Sequence, residues 1–211
     1  MNILFTIILG FTLLQADGGK NINFRYGFIG QVQSNPDSTV ELGDKSIVHT
    51  NDEIRVNIGY ILNSHFYLIY LDSDGIYSLI LPEVSIDENS PDTLYTTILR
   101  GGLTNPVGNE TFYLLNSNEP LSELIKLLSR YESAPKKGKI KLAKRIQTHL
   151  DDLDPNVKAD LSSIASRLDK PLVGGVAFRG DDDDELKEMS LTHECKGSGG
   201  IAFQKIVLIH K

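Results

Sequence analysis

The segment from Phe66 to Pro82 constrains this chain most: Phe-Tyr-Leu-Ile-Tyr-Leu, then Asp-Ser-Asp-Gly, then Ile-Tyr-Ser-Leu-Ile-Leu-Pro. Two runs rich in β-branched and aromatic residues flank Asp74-Gly75, and Asp-Gly between such runs is a strong hairpin signal. Gly75 supplies a positive φ without a Cβ penalty, while Asp72, Ser73 and Asp74 offer side chains that bond the turn's own backbone. Both arms are almost continuously apolar. A two-stranded hairpin of that kind cannot stand alone in water, so it is expected at the middle of a larger sheet with its faces covered.

The segments before and after it supply the cover. Phe24 to Val32 reads as a strand closed by the turn-rich Ser34-Asn35-Pro36-Asp37-Ser38. Short apolar stretches follow at Val40-Glu41-Leu42 and Ile47-Val48. Ile54, Val56 and Ile58 alternate with Arg55 and Asn57, the period of a strand with one wet face. Beyond Pro82, Glu83 to Asp92 reads as a loop, Thr93 to Leu99 as a strand, and Glu110 to Leu115 as another. About seven short strands with frequent turns predict an antiparallel sandwich or barrel.

Then the period changes. Pro120 opens a helix in which Leu121, Leu124, Ile125, Leu128 and Tyr131 fall on one face, and Ala134-Pro135 ends it. Lys136 to Leu150 reads as a second helix, apolar along Ile140, Leu142, Ala143, Ile146 and Leu150 and basic along Lys137, Lys141, Lys144 and Arg145. Asp154-Pro155 reads as the cap and first turn of a third helix carrying Val157, Leu161, Ile164 and Leu168. Leu172 to Phe178 and Ile201 to Ile209 return to β character across a polar connection that includes Asp181 to Glu185 and Gly197 to Gly200. The expected fold is therefore α+β: a mostly antiparallel β sandwich or barrel, with a helical segment of three helices inserted before two C-terminal strands. Completion of the sheet by those strands is favoured over a separate two-strand unit.

The 211 residues suffice for a core of their own, burying roughly 70% of the unfolded chain's surface. A net charge of −7 argues against a general nucleic-acid binder. Met1 to Ala16 carry no charge and an apolar run of about a dozen residues, too short to span a bilayer of roughly 30 Å. The run fits the h-region of a signal peptide over residues 1–16, although it lacks a basic n-region. A short membrane-anchoring segment and a buried N-terminal strand are the alternatives. The expected organisation is then a β-rich domain over 17–132, the helical segment over 133–170 and the C-terminal strands over 171–211, in a periplasmic or secreted protein.

The middle of the chain resembles a known family. Asp52-Glu53-Ile54-Arg55-Val56, Phe66 to Gly75, Leu79-Ile80-Leu81-Pro82, Gly108-Asn109-Glu110-Thr111-Phe112 and Ser117-Asn118-Glu119-Pro120-Leu121 follow one another as in the domain of unknown function 4384 family. The likeness covers roughly residues 40–131. It departs at Leu81, where that family usually has Phe, and in the loop after Pro82. The resemblance implies a β-rich accessory domain of bacterial proteins, often exported, with no catalytic residue to carry over. By analogy it suggests a binding or scaffolding role.

Chemistry-bearing residues are few. Asp72-Ser73-Asp74-Gly75 opens like a calcium loop but lacks the fifth and twelfth ligands, so a hairpin turn is expected. Asp181 to Glu185 reads as a solvated acidic loop, and Lys196 to Gly200 as a flexible connection that meets neither the phosphate-loop nor the nucleophile-elbow pattern. His193 and Cys195 would share a face in a strand, with His210 further on, which makes a metal or a Cys–His pair conceivable. Paired ligands are missing, and no local signature surrounds Cys195. No catalytic, cofactor-binding or metal-ligating residue is assigned, and no cofactor is expected. The reading is a non-enzymatic exported bacterial accessory or scaffold protein acting through protein–protein contacts, with weak contact of the basic helix (Lys137, Lys141, Lys144, Arg145) with anionic surfaces and no nucleic acid. The alternative is a metal-dependent or cysteine hydrolase using His193 and Cys195.

Overall fold

A computed structural model describes residues 22–31, 39–61, 64–81, 93–155 and 191–211. They form two five-stranded sheets and two helices. The first sheet is built on β1 (Ile22–Gln31), which pairs along one side with β4 (Glu53–Ile61), itself paired with β7 (Thr93–Gly102). Two short strands share the other side of β1: β2 (Thr39–Leu42) opposite Phe28 to Gln31, and β9 (His193–Gly197) opposite Ile22 to Tyr26. The second sheet runs β3 (Ile47–Val48), β10 (Ile201–His210), β8 (Gly108–Ser117), β5 (His65–Leu71), β6 (Tyr77–Leu81). Among the described strands only the β3–β10 pair is parallel.

The core between the sheets follows from alternation. Phe24, Tyr26 and Phe28 of β1, Ile54, Val56 and Ile58 of β4, Phe66 and Leu68 of β5, and Phe112 and Leu114 of β8 all point inward and are buried. Phe24 meets Phe66 edge-on at 5.3 Å between ring centroids, and Phe28 meets Phe112 at the same distance, so rings from opposite sheets interlock. Such pairs add about 0.5–1.5 kcal/mol beyond the area they bury. The outward face of the first sheet is polar: Arg100 and Arg55 flank Glu53, and the Thr97 hydroxyl donates to Asn57 at 2.7 Å.

The second sheet is apolar on both faces, which explains why the Phe66–Pro82 arms scarcely alternate. Its outer side carries Tyr67, Ile69, Tyr77, Tyr113, Leu115 and Phe203, covered by α1 (Ser122–Ser133) and α2 (Lys136–Leu153) through Leu124, Leu128, Tyr131, Ile146 and Leu150. The described residues thus form a three-layer stack of sheet, sheet and helical hairpin. Ala134, extended because proline follows, breaks the two helices apart. Among the described residues no helix is long and apolar enough to cross a membrane.

Several expectations need correction. The described residues hold two helices, not three. Asp154, read as the cap of a third helix, closes α2: it is extended and its N–H donates to the Leu150 carbonyl at 3.0 Å. Residues 156–190, which carry the rest of that expected helix, the expected strand at Leu172 to Phe178 and the acidic run Asp181 to Glu185, lie outside the described residues, as do the signal-peptide residues 1–16 and the loop at Glu83 to Asp92. His193–Gly197, expected to be part of a polar connection, is strand β9, its weak β propensity overridden by pairing with β1. The hairpin is not the middle of its sheet either. The long β8–β10 pair is central, β5 lies beside it, and β6 ends the strand order.

Candidate functional site

The residues that sequence reasoning singled out are used structurally: His193 and Cys195 face one side of β9, whereas His210 stands far from Cys195. Cys195 points into the core between the sheets, and its thiol donates to the Phe203 carbonyl at 3.4 Å. Burial pushes that thiol up from 9.0 to about 11, the opposite of what a nucleophile needs. His193 stacks on Tyr26 at 5.2 Å and sets Nε2 2.8 Å from Glu41 Oε1, which also accepts from the Thr192 hydroxyl at 2.7 Å. Glu41 thereby pins β9 to β2 along the edge of β1. His210 stands seven residues beyond Phe203 on the same strand, roughly 23 Å away at strand rise. Cys195 and His210 therefore cannot serve one reaction centre. Among the described residues, no group of three His, Cys, Asp or Glu side chains stands close enough to hold a metal ion.

His210 belongs instead to a buried polar group that the sequence did not announce. Glu110 accepts from the Tyr70 phenol at 2.6 Å; His210 Nδ1 comes within 3.4 Å of the same carboxylate, short of hydrogen-bond geometry, and Nε2 lies 2.9 Å from the Thr50 hydroxyl. Side-chain exposures of 0% for His210 and 2% for Glu110 leave neither within reach of a solute. Burial first, and then the bond to Glu110, pushes the Tyr70 phenol above its ordinary value. This group ties β5, β8, β10 and the β3–β4 connection together at one end of the sandwich.

Beside it the β5–β6 turn is fastened by its own side chains. The Ile76 N–H donates to Asp72 Oδ1 at 2.7 Å, Gly75 takes φ +80°, and the Ser73 hydroxyl donates to the Pro106 carbonyl at 2.8 Å. The sequence Asp72 to Gly75 thus makes the expected hairpin turn.

That turn also forms one wall of a groove among the described residues. The groove, of about 830 Å³, lies between the turn and the helical hairpin, lined by Asp74, Gly75 and Ile76 on one side and by Tyr131, Lys136, Lys139, Ile140, Ala143 and Lys144 on the other. Its volume falls in the range of ligand sites, about 300–1,000 Å³. Tyr131 forms the fixed part of the floor: its hydroxyl reaches the Gly75 carbonyl at 3.5 Å and the Tyr77 N–H at 3.4 Å, and its ring meets Tyr77 edge-on. Lys139 Nζ hangs 5.0 Å over that ring. Ile76 and Ile140 are 45% and 63% exposed, although both are large and aliphatic.

The charges at this groove run against what helix stability favours. The first turn of α2 holds Lys136, Lys137 and Lys139 with no acidic residue, and no side chain caps its N-terminus. The positive end of the helix dipole disfavours cations there by about 0.3–1 kcal/mol each. Among the described residues only the Tyr131 ring under Lys139 offsets this arrangement, and a local rule broken in this way marks a functional candidate. Of the basic residues expected to matter, Lys144 lines the groove, whereas Lys137, Lys141 and Arg145 are exposed and do not line it. Sequence reading missed Lys136, Lys139, Ile76 and Tyr131 as a set. The signal for two of them was legible in Pro135-Lys136-Lys137-Gly138-Lys139, a helix start with the wrong charge.

No family model matches the chain, and no curated protein or solved structure matches it either. The likeness to the domain of unknown function 4384 family therefore rests on the sequence motifs that carry it.

Proposed function

We propose that this chain is a non-enzymatic exported bacterial accessory or scaffold protein that works through protein–protein contact, with the groove between the β5–β6 turn and α2 as its contact surface. The observation that carries the reading is the pair Ile76 and Ile140, left exposed on a floor held rigid by Tyr131 while the rest of both helices' apolar stripe is buried or half-buried. Exposed aliphatic groups on a fixed frame, rimmed by charge, are what an interaction site presents. The apolar N-terminal run supports export, and the motif resemblance supports an accessory role by analogy. The buried setting of Cys195 lends nothing to a hydrolase.

The test is affinity capture from the native envelope fraction with the tagged chain, comparing the wild type with Ile140→Asp. Ile140 is 63% exposed, so the substitution leaves packing intact. A species retained by the wild type and lost by the variant is the expected result. Identical captured sets would overturn the reading.

A further inference from the structure

Building on that reading, we propose that the groove's occupant is a short acidic peptide segment with interspersed aliphatic side chains, presented by a partner protein. Three lysines (Lys136, Lys139, Lys144) face one aspartate, Asp74, around the rim. A carboxylate in the groove would meet the lysine ammoniums and the positive end of α2 at once, and would relieve the like-charge arrangement in the first turn of that helix. Between the charges, Ile76 on the turn and Ile140 on the helix stand on opposite walls, so an aliphatic side chain lying between them buries both. The ligand must therefore offer negative charge and apolar groups in alternation along a narrow track. An extended peptide does so because its successive side chains point to opposite sides.

Two competing anionic surfaces fit less well. The chain carries a net charge of −7, so an anionic membrane or a nucleic-acid backbone, broad polyanions both, would repel most of the molecule while meeting three lysines. A short peptide confined to the groove escapes that repulsion, because charges beyond about 8 Å are largely screened at physiological salt. Ile76 and Ile140 also line the two walls of a groove and do not project as a wedge, which suits enclosing a side chain and not insertion among lipid tails.

The experiment uses the full chain and a fluorescein-labelled octapeptide of alternating glutamate and leucine, read by anisotropy. Parallel titrations use a glutamate–serine octapeptide and phosphatidylglycerol vesicles, and the double variant Lys136→Glu/Lys144→Glu is compared throughout. Saturable binding of the glutamate–leucine peptide is expected, weakened about tenfold by the double variant and also by raised salt. The glutamate–serine peptide should bind several-fold more weakly. Because an acidic residue suits the start of α2 at position 136 and Lys144 is exposed in mid-helix, the variant's melting temperature should be unchanged or higher, which separates lost binding from lost folding. No saturable binding, equal binding by the variant, or stronger binding to vesicles than to peptide would each overturn the proposal. Should a natural partner be captured in an Ile140-dependent way yet ignore the lysine reversal and salt, the acidic-peptide inference falls while the contact-surface reading stands.

Discussion

At Cys195 the chain spends its single thiol on packing. The side chain is buried among Phe24 and its neighbours and bonded to a backbone carbonyl, with its pKa raised to about 11 by burial. At neutral pH this lowers the thiolate fraction about a hundredfold relative to a free thiol, before any steric protection is counted. Native protein should accordingly react with a thiol-specific disulfide reagent at least a hundredfold more slowly than the same protein in denaturant. Comparable rates in the two states would mean that the core around β9 opens readily. His193 and Cys195 were visible as chemistry-bearing residues because sequence shows residue types. It does not show that a Glu41 carboxylate far earlier in the chain and a Phe203 carbonyl on the next strand are already their partners. Glu110 was passed over for the same reason. Nothing local marks it as the acceptor for Tyr70, forty residues earlier.

Among the elements, strands with strong β propensity and turns with special residues were legible, and those whose existence depends on a partner were not. β4, β5, β6 and β8 could be read from alternation or from Asp74-Gly75. β9 could not, because His-Glu-Cys-Lys-Gly has the composition of a loop and is a strand only against β1. Gly197 is needed where the chain passes from one sheet to the other, since a Cβ there would collide with the Ile201 carbonyl. The helices were legible in period but not in exposure. Ile140 lies ten residues before Leu150, which at 3.6 residues per turn sets it about 80° around the helix from that buried position. That angle carries it out of the core and into the groove. Leu150 is fully buried against the second sheet, so Leu150→Ala should cost about 2–5 kcal/mol. A urea titration followed by circular dichroism should show a lower midpoint with little change in slope. A cost near zero would mean that α2 is not held by the sheet as described.

For the whole molecule, the tyrosines give the fold an alkaline limit. Burial pushes the Tyr26 phenol up from 10.0 to about 12, and raises Tyr70, Tyr77 and Tyr113 as well, while Cys195 rises to about 11. A group with a raised native pKa adds stability that is complete below its unfolded value and is lost as pH climbs through the native one. The melting temperature should therefore hold up to about pH 9, where the unfolded thiol begins to ionise, and fall steeply as the pH approaches 12. The phenolate absorbance of Tyr26, Tyr70, Tyr77 and Tyr113 should rise together with unfolding and not before it. A tyrosine titration complete in the native state near pH 10 would contradict the burial described. The path of the last segment has a further effect on how the chain is made. β9 completes an edge of one sheet, and β10 fills an interior position in the other between β3 and β8, so the first sheet is unfinished until residue 197 has been synthesised and the second until residue 210. The earlier strands have to wait, incompletely paired, for the length of translation. For a chain exported as proposed above, that delay would keep the polypeptide threadable through a translocation channel before its sheets close.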